Sequence, residues 1–367
     1  MIDQNFLGHK VEVTDGEKIW YVAELSGFVM EIDIDSKELK CIWKIPNSAG
    51  PCSYRTLFYY ENKLYIFPYL QRIMYIYDVY TGEYREIETK KDPELMGCIK
   101  RGRFLYAFGD KPEILKLDLE NDTVMYIDMR SKLGELEKNC SYWFWTKAFV
   151  LDECIYIPAA KTNIIVMLDQ NDNVSVMCLG DQPEKWVLVN IQIENGRYHA
   201  IYAQGNIDDV RTYIAEYDLK GNLISESNIE EKYPYKIYPF LEAIWSGEKW
   251  ICFPFGRNEL LLRDREHDEI LFEIENGIEF LSNPGRGLFS CSVSVDGGTV
   301  YSLNQSTGSL VCIHLGDLAV NHSYLEMKEN LQYIAKKYYQ DMFGFQPVIN
   351  EDDFYVLKKY INYICYN

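Results

Sequence analysis

Arginine set close to tryptophan and tyrosine is the combination in this sequence with the most chemical content. Arg55 follows Tyr54, Trp143 and Trp145 flank Phe144, Trp186 follows Lys185, and Tyr238 and Arg286 stand in further loop-like stretches. Brought together, such residues would stack a flat or sugar-like group on the aromatic rings. The guanidinium groups would hold an anionic group through paired hydrogen bonds. Proton transfer beside them would fall to Glu242, Tyr54, Tyr238 or His199, with Arg55 and Arg286 steadying an anion. A structural alternative stands beside each assignment. Tryptophan also wedges between packed layers, and arginine also bridges carboxylates.

Whether these residues meet depends on the elements that carry them, and those elements repeat. Three copies of one pattern agree closely. Leu64-Tyr65-Ile66-Phe67-Pro68 leads to Asp78, Ile155-Tyr156-Ile157-Pro158 to Asp169, and Ile251-Cys252-Phe253-Pro254 to Asp264. Weaker copies around Trp20, Tyr106, Ile201 and Tyr301 lead to Asp33, Asp118, Asp218 and His314. The copy that ends at Asp218 has the longest separation and predicts a longer loop. The anchors recur every 40–50 residues or so, with several short strands in each unit, which is the signature of a β-propeller. Stretches such as Ile73 to Tyr77 and Ile164 to Leu168 suit strands buried on both faces. Pro68, Pro158 and Pro254 lack an N–H and should end strands. Each repeated Asp should open a hairpin turn and accept bonds from nearby backbone N–H groups.

The pattern resembles the divergent kelch, WD40 and quinoprotein propeller repeats over roughly residues 8–320. Asp78-Val79-Tyr80-Thr81-Gly82 is similar to the core of the quinoprotein repeat, with Glu86 where that repeat closes on Trp. Only Gly297-Gly298 matches the double glycine of kelch, and no Trp-Asp dipeptide occurs. The resemblance implies architecture and transfers no catalytic residue. The fold expected is an all-β, seven-bladed propeller over 1–320, with counts of six or eight left open. The outer strand of the last blade would come from Met1 to Leu7 or from the stretch after Gly316.

In such a ring the segments entering each innermost strand line the mouth of the central channel. Counting ten residues back from the shared aromatic position gives Lys10, Arg55, Met96, Trp145, Val189, Leu241 and Cys291. The loops just before supply Tyr54, Trp143, Lys185, Trp186, Tyr238 and Arg286. The stretch 129–145 is the longest candidate lid.

Composition narrows the partners. Of 367 residues, 37 are Lys or Arg and 56 are Asp or Glu, a net charge of −19. Such a surface repels phosphate backbones and anionic lipid heads, so neither nucleic acid nor membrane is expected. Met1 to Lys10 lacks the basic and apolar regions of a secretory signal, which points to the cytoplasm. Ten Cys occur without a C-x-x-C pair, as expected of reduced, buried thiols. Five His, with His314 and His322 the nearest to a pair, make a weak metal signal, and no metal or cofactor is expected. Asp169 to Asn173 begins like a calcium loop, but Val174 replaces its glycine and Gly180 its bidentate Glu, so a hairpin is the better reading. Ser294 to Thr299 is likewise read as a tight hairpin.

After Gly316 the apolar spacing turns helical. Leu325, Leu331, Ile334, Ala335, Tyr338 and Met342 predict a helix over 322–343, and Phe354, Leu357, Ile361 and Ile364 a second over 351–365. This extension, 321–367, would pack on the propeller or, being rich in tyrosine, mediate oligomerisation. Two functions remain in view. One is a non-catalytic binding or scaffolding propeller that takes a protein or peptide across the mouth. The other is a lyase, isomerase or hydrolase acting there on a glycan or modified peptide.

Overall fold

The computed structural model describes residues 9, 11–24, 26–46, 48, 53–133, 147–181, 186–206, 209–230, 240–254, 259–273, 293–305, 307–327, 331 and 333–334. They form an all-β, seven-bladed propeller. Blade one is β1 to β4 (Glu12–Thr14, Lys18–Val22, Phe28–Asp33, Glu38–Lys44) and blade two is β5 to β8 (Tyr54–Tyr60, Lys63–Pro68, Ile73–Asp78, Tyr84–Glu88). Blade three is β9 to β12 (Leu95–Arg101, Phe104–Gly109, Glu113–Asp118, Val124–Asp128) and blade four is β13 to β16 (Phe149–Leu151, Cys154–Pro158, Ile164–Leu168, Val174–Cys178). Blade five is β17 to β20 (Trp186–Glu194, Arg197–Asn206, Asp209–Asp218, Leu223–Glu230) and blade six is β21 to β24 (Phe240–Trp245, Trp250–Pro254, Glu259–Arg263, Asp268–Glu273). Blade seven is β25 to β28 (Ser294–Asp296, Thr299–Asn304, Ser309–His314, Val320–Tyr324). Each is an antiparallel meander in chain order.

Alternation along the strands explains the packing. Ile19 and Tyr21 of β2 point toward blade seven, while Trp20 and Val22 point toward blade two. The same division recurs around the ring. The buried apolar residues therefore form seven clusters, one between each pair of neighbouring blades and including the pair seven and one. A strand with an apolar neighbour on both faces has no polar side to show, so its sequence reads as nearly continuous hydrophobic residues.

The anchors behave as their chemistry demands. Pro68, Pro158 and Pro254 are the last residues of their strands. Asp78 Oδ1 accepts the N–H groups of Tyr80 (3.0 Å) and Thr81 (2.9 Å), and Asp218 Oδ1 those of Lys220 (2.8 Å) and Asn222 (2.9 Å). Asp169 does the same in the stretch that begins like a calcium loop, accepting from Asn171 and Asn173. Such bonds favour the carboxylate and lower the three pKa values, led at Asp78 by the Thr81 N–H and at Asp169 and Asp218 by the side-chain amides of Asn173 and Asn222. Gly297 and Gly298, both with positive φ, join β25 to β26.

Two expectations need correction. The long separation before Asp218 is taken up by strand and not by loop. β18 and β19 have ten residues each and pair from Arg197↔Asp218 to Asn206↔Asp209, making blade five taller than its neighbours. The helix expected over 322–343 is absent from its first residues, because β28 runs through Tyr324 and β29 (Glu326–Met327) follows it. Thus the stretch after Gly316 supplies the outer strand of blade seven. β29 then pairs in parallel with the start of β4 as a fifth strand of blade one. Residues 331, 333 and 334 are helical, with Leu331 buried in the cluster between blades seven and one. Met1 to Leu7 and the expected helix over 351–365 lie outside the described residues. No described helix is long and apolar enough to cross a membrane.

The contact between blades four and five tests the ring sharply. The N–H of Gly180, leaving blade four, donates to the carbonyl of Gly221 in a turn of blade five (2.8 Å). Gly221 has φ +85°, and a Cβ there would collide with the Cys178 carbonyl. Gly221→Ala is therefore expected to cost about 1–3 kcal/mol from backbone strain alone, with the collision added. Equilibrium unfolding in urea measures it, and an unchanged midpoint would show that the blades do not meet at this turn.

Candidate functional site

The innermost strands share an irregularity. In β5 the register passes from Tyr54↔Pro68 to Thr56↔Phe67, leaving Arg55 without a ladder partner. In the same way Met96 drops out of the β9–β10 ladder, Val189 out of β17–β18 and Leu241 out of β21–β22. These are β-bulges, and each lies near the mouth end of its strand. A bulge kinks the strand and re-aims the side chain beside it. The four residues belong to the set obtained by counting back from the shared aromatic. Lys10, Trp145 and Cys291, the rest of that set, lie outside the described residues.

Arg55 is the best-defined of the candidates. Its Nε donates to Glu24 Oε1 of blade one (2.8 Å), and its guanidinium lies over the Tyr69 ring (4.1 Å to the centroid). Nη1 approaches Met96 Sδ of blade three at 3.9 Å. One side chain thus touches three blades. Tyr69 in turn donates its hydroxyl to Asp110 Oδ2 (2.7 Å). The other oxygen, Oδ1, is shielded from solvent and has no hydrogen-bond partner among the described residues. Burial raises the pKa of Asp110, which outweighs the lowering by the Tyr69 hydrogen bond. Nearby Glu94 raises it further, while Arg55 and Lys161 oppose.

Glu242 follows the bulge of blade six and has no exposed area. It accepts the N–H of Ala243 (2.8 Å), Nδ2 of Asn190 in blade five (3.3 Å), and Nζ of Lys147, just before β13 of blade four. An ion pair therefore runs from blade four to blade six over Asn190. Such a buried carboxylate is tolerable because a cation and further donors satisfy it.

The remaining candidates scatter. Tyr54 is buried, donates to the Ile73 carbonyl (3.0 Å), and has its pKa raised first by burial. His199 stands toward the other end of blade five, stacked on Trp245 (4.8 Å) and 3.7 Å from Glu216. Trp186 opens β17, its backbone paired with Gln204. Trp143, Tyr238 and Arg286, like Trp145, lie outside the described residues, as does most of the stretch 129–145. Among the described residues no three His, Cys, Asp or Glu side chains are grouped to hold a metal. His314 binds Thr299 (3.0 Å).

Sequence reasoning missed Glu24, Tyr69, Asp110, Asn190 and Lys147. A signal existed for most of them. Glu24, Tyr69 and Asp110 directly follow Ala23, Pro68 and Gly109, which stand at or just past the ends of matching strands, and Asn190 directly follows a counted mouth position.

No family model matches the chain, and no curated protein matches it. Solved structures do. A streptogramin B lyase structure superposes with a TM-score of 0.60 at 12% identity, covering 87% of this chain and 95% of that one. A catalytically inactive virginiamycin B lyase from Staphylococcus aureus, solved with quinupristin, gives 0.60 at 11% identity, covering 83% and 94%. BamB from Moraxella catarrhalis gives 0.51 at 11% identity, covering 80% and 81%. At these identities the likeness shows the propeller fold alone.

Two substitutions probe the charges. Glu242→Ala is expected to destabilise by about 3–5 kcal/mol, since it removes the buried carboxylate on which Lys147 and the Asn190 amide converge. Adding Lys147→Met should recover part of that loss, and denaturant melts of both variants decide it. Asp110 has the opposite sign. A carboxyl whose folded pKa is raised binds more protons folded than unfolded, so its contribution to stability falls as pH rises from the unfolded value through the folded one. Asp110→Asn should therefore raise the melting temperature at about pH 7 and change it little at about pH 3. A lower melting temperature at the higher pH would contradict this.

Proposed function

We propose that this protein is a non-catalytic binding propeller that recognises a protein or peptide partner across the channel mouth. The observation that carries the reading is the Arg55 cluster. A bulge turns Arg55 out of its ladder, and Glu24, Tyr69 and Met96 from three blades then fix it in place. A guanidinium held against an aromatic ring and a carboxylate loses little freedom when a partner docks. The Lys147–Glu242 pair gives the opposite side of the ring a second cross-blade tie. Glu242, one of the side chains that could have served as acid or base, is thus engaged with Lys147. Trp143, Trp145, Trp186, Tyr238 and Arg286 complete the proposed contact surface. The kelch, WD40 and quinoprotein resemblance supports this reading as architecture, and a cytoplasmic setting suits the unpaired cysteines among the described residues.

One observation favours a second reading. Asp110 combines a raised pKa, a shielded free oxygen and a tyrosine partner, which are the marks of a general acid. On that reading the mouth would host a lyase, isomerase or hydrolase acting on a glycan or modified peptide, and two of the fold neighbours are lyases.

Affinity capture from native cells, quantified by mass spectrometry, separates the two. A partner recovered with the unaltered protein should fall roughly tenfold with Arg55→Glu and persist with Asp110→Asn. Recovery that ignores Arg55→Glu would remove the mouth as the binding surface. Turnover of quinupristin or another cyclic peptide that stops with Asp110→Asn would replace the binding reading with the enzymatic one.

A further inference from the structure

A cleft of about 540 Å³ opens between blades four and five, outside the channel mouth. We propose that it binds a neutral, hydroxyl-rich small molecule of sugar size. Asp181, Tyr202, Gln204, Tyr217, Lys220 and Glu226 present their side chains along it.

Beside the cleft, blade five departs from the apolar pattern of its neighbours. The face it turns toward blade four pairs Ala200 with Ala215. In blade four the matching pair is Ile157 and Val166. Beside Ala215 stands Glu226, where blade four has Val176. Two methyl groups and a carboxylate thus stand where blade four has three branched aliphatic side chains; the alanines are buried in the packed cluster, and Glu226 lines the cleft. One boundary is fixed by the bond from Gly180 to Gly221.

The polar groups are arranged as a set. The Tyr202 hydroxyl donates to Glu226 Oε1. Burial raises the pKa of both phenols, that of Tyr217 to about 12, so they remain protonated donors. The Gln204 amide offers one donor group and one acceptor, Lys220 donates, and Asp181 and Glu226 accept.

This chemistry selects among ligand classes. An anion would meet two carboxylates and a single lysine on a chain of net charge −19. A lipid or aromatic ligand would find no broad apolar wall among the described lining residues. A simple amine would satisfy the carboxylates but leave the amide and lysine donors without acceptors. Hydroxyl groups donate and accept at once, and several on one small ring match an alternating lining. The volume lies within the range of about 300–1,000 Å³ usual for small-molecule sites.

Saturation-transfer NMR on the full chain tests this with glucose, galactose and mannose, using glucosamine and glucose 6-phosphate as charged comparators. At least one neutral hexose is expected to bind, with a Kd on the order of 1 mM. Tyr202→Phe keeps the ring and removes the hydroxyl, and should weaken binding about tenfold. Leu223→Trp should abolish it, since Leu223 lines the cleft and is half exposed. An unchanged melting temperature confirms that this surface variant folds. Absence of binding by all three neutral hexoses overturns the proposal, as does binding that survives Leu223→Trp or is confined to glucosamine or the phosphate.

Discussion

Burial between blades is the interaction on which this structure depends. Each four-stranded sheet is apolar on both faces and is stable only with a neighbour on each side. Seven such sheets have seven interfaces only when the ring closes, and the cluster joining blades seven and one is built like the others. A closed ring leaves no sheet face unpaired. It leaves an outer edge on every blade, and on blade one that edge is covered by β29, which arrives from the end of blade seven. Closure therefore comes from packing plus a short parallel strand, with the first and last blades each made from four consecutive strands.

Two consequences follow for the site. Because the inner strands are held side by side, an irregularity repeated in several of them falls at one height in the ring. The bulges at Arg55, Met96, Val189 and Leu241 do this, and they make this end of the ring a place where the ladder register breaks. Interactions there also run between blades that are distant in the chain. Lys147 and Glu242 are 95 residues apart, yet they form one buried pair. Blade five shows what happens when the apolar pattern is interrupted. Glu226, set on the face that turns toward blade four, lines a cleft between the two blades.

Much of the architecture is legible in the residues because the forces that set it are local. An Asp followed by a short polar turn accepts its own backbone N–H groups wherever the turn sits, and a proline ends a strand for want of a donor. The count of ten back from the shared aromatic lands on the four described bulges, because the stretch through the hairpin keeps that length in each of these blades even where the strands differ. Outside that stretch, where strand length changed, the reading failed. The extra residues before Asp218 look the same in a sequence whether they lengthen a loop or two strands. Likewise His322 to Met327 share spacing with a helix, but β27 of blade seven draws His322 to Tyr324 into strand, and the free edge of blade one draws in Glu326 and Met327.

The sequence by itself determined the repeat, the seven anchors, the turns they open and the ends of the strands, because each rests on contacts within a few residues. Tertiary structure alone decided which side chains meet. Nothing near Arg55 in the chain announces Glu24 or Met96, and nothing near Tyr69 announces Asp110, which lies 41 residues away. The same holds for the cleft beside Glu226, which exists only because a second blade stands opposite it. Chemistry in this fold is assembled between repeats, and a distance between repeats is set by the closing of the ring.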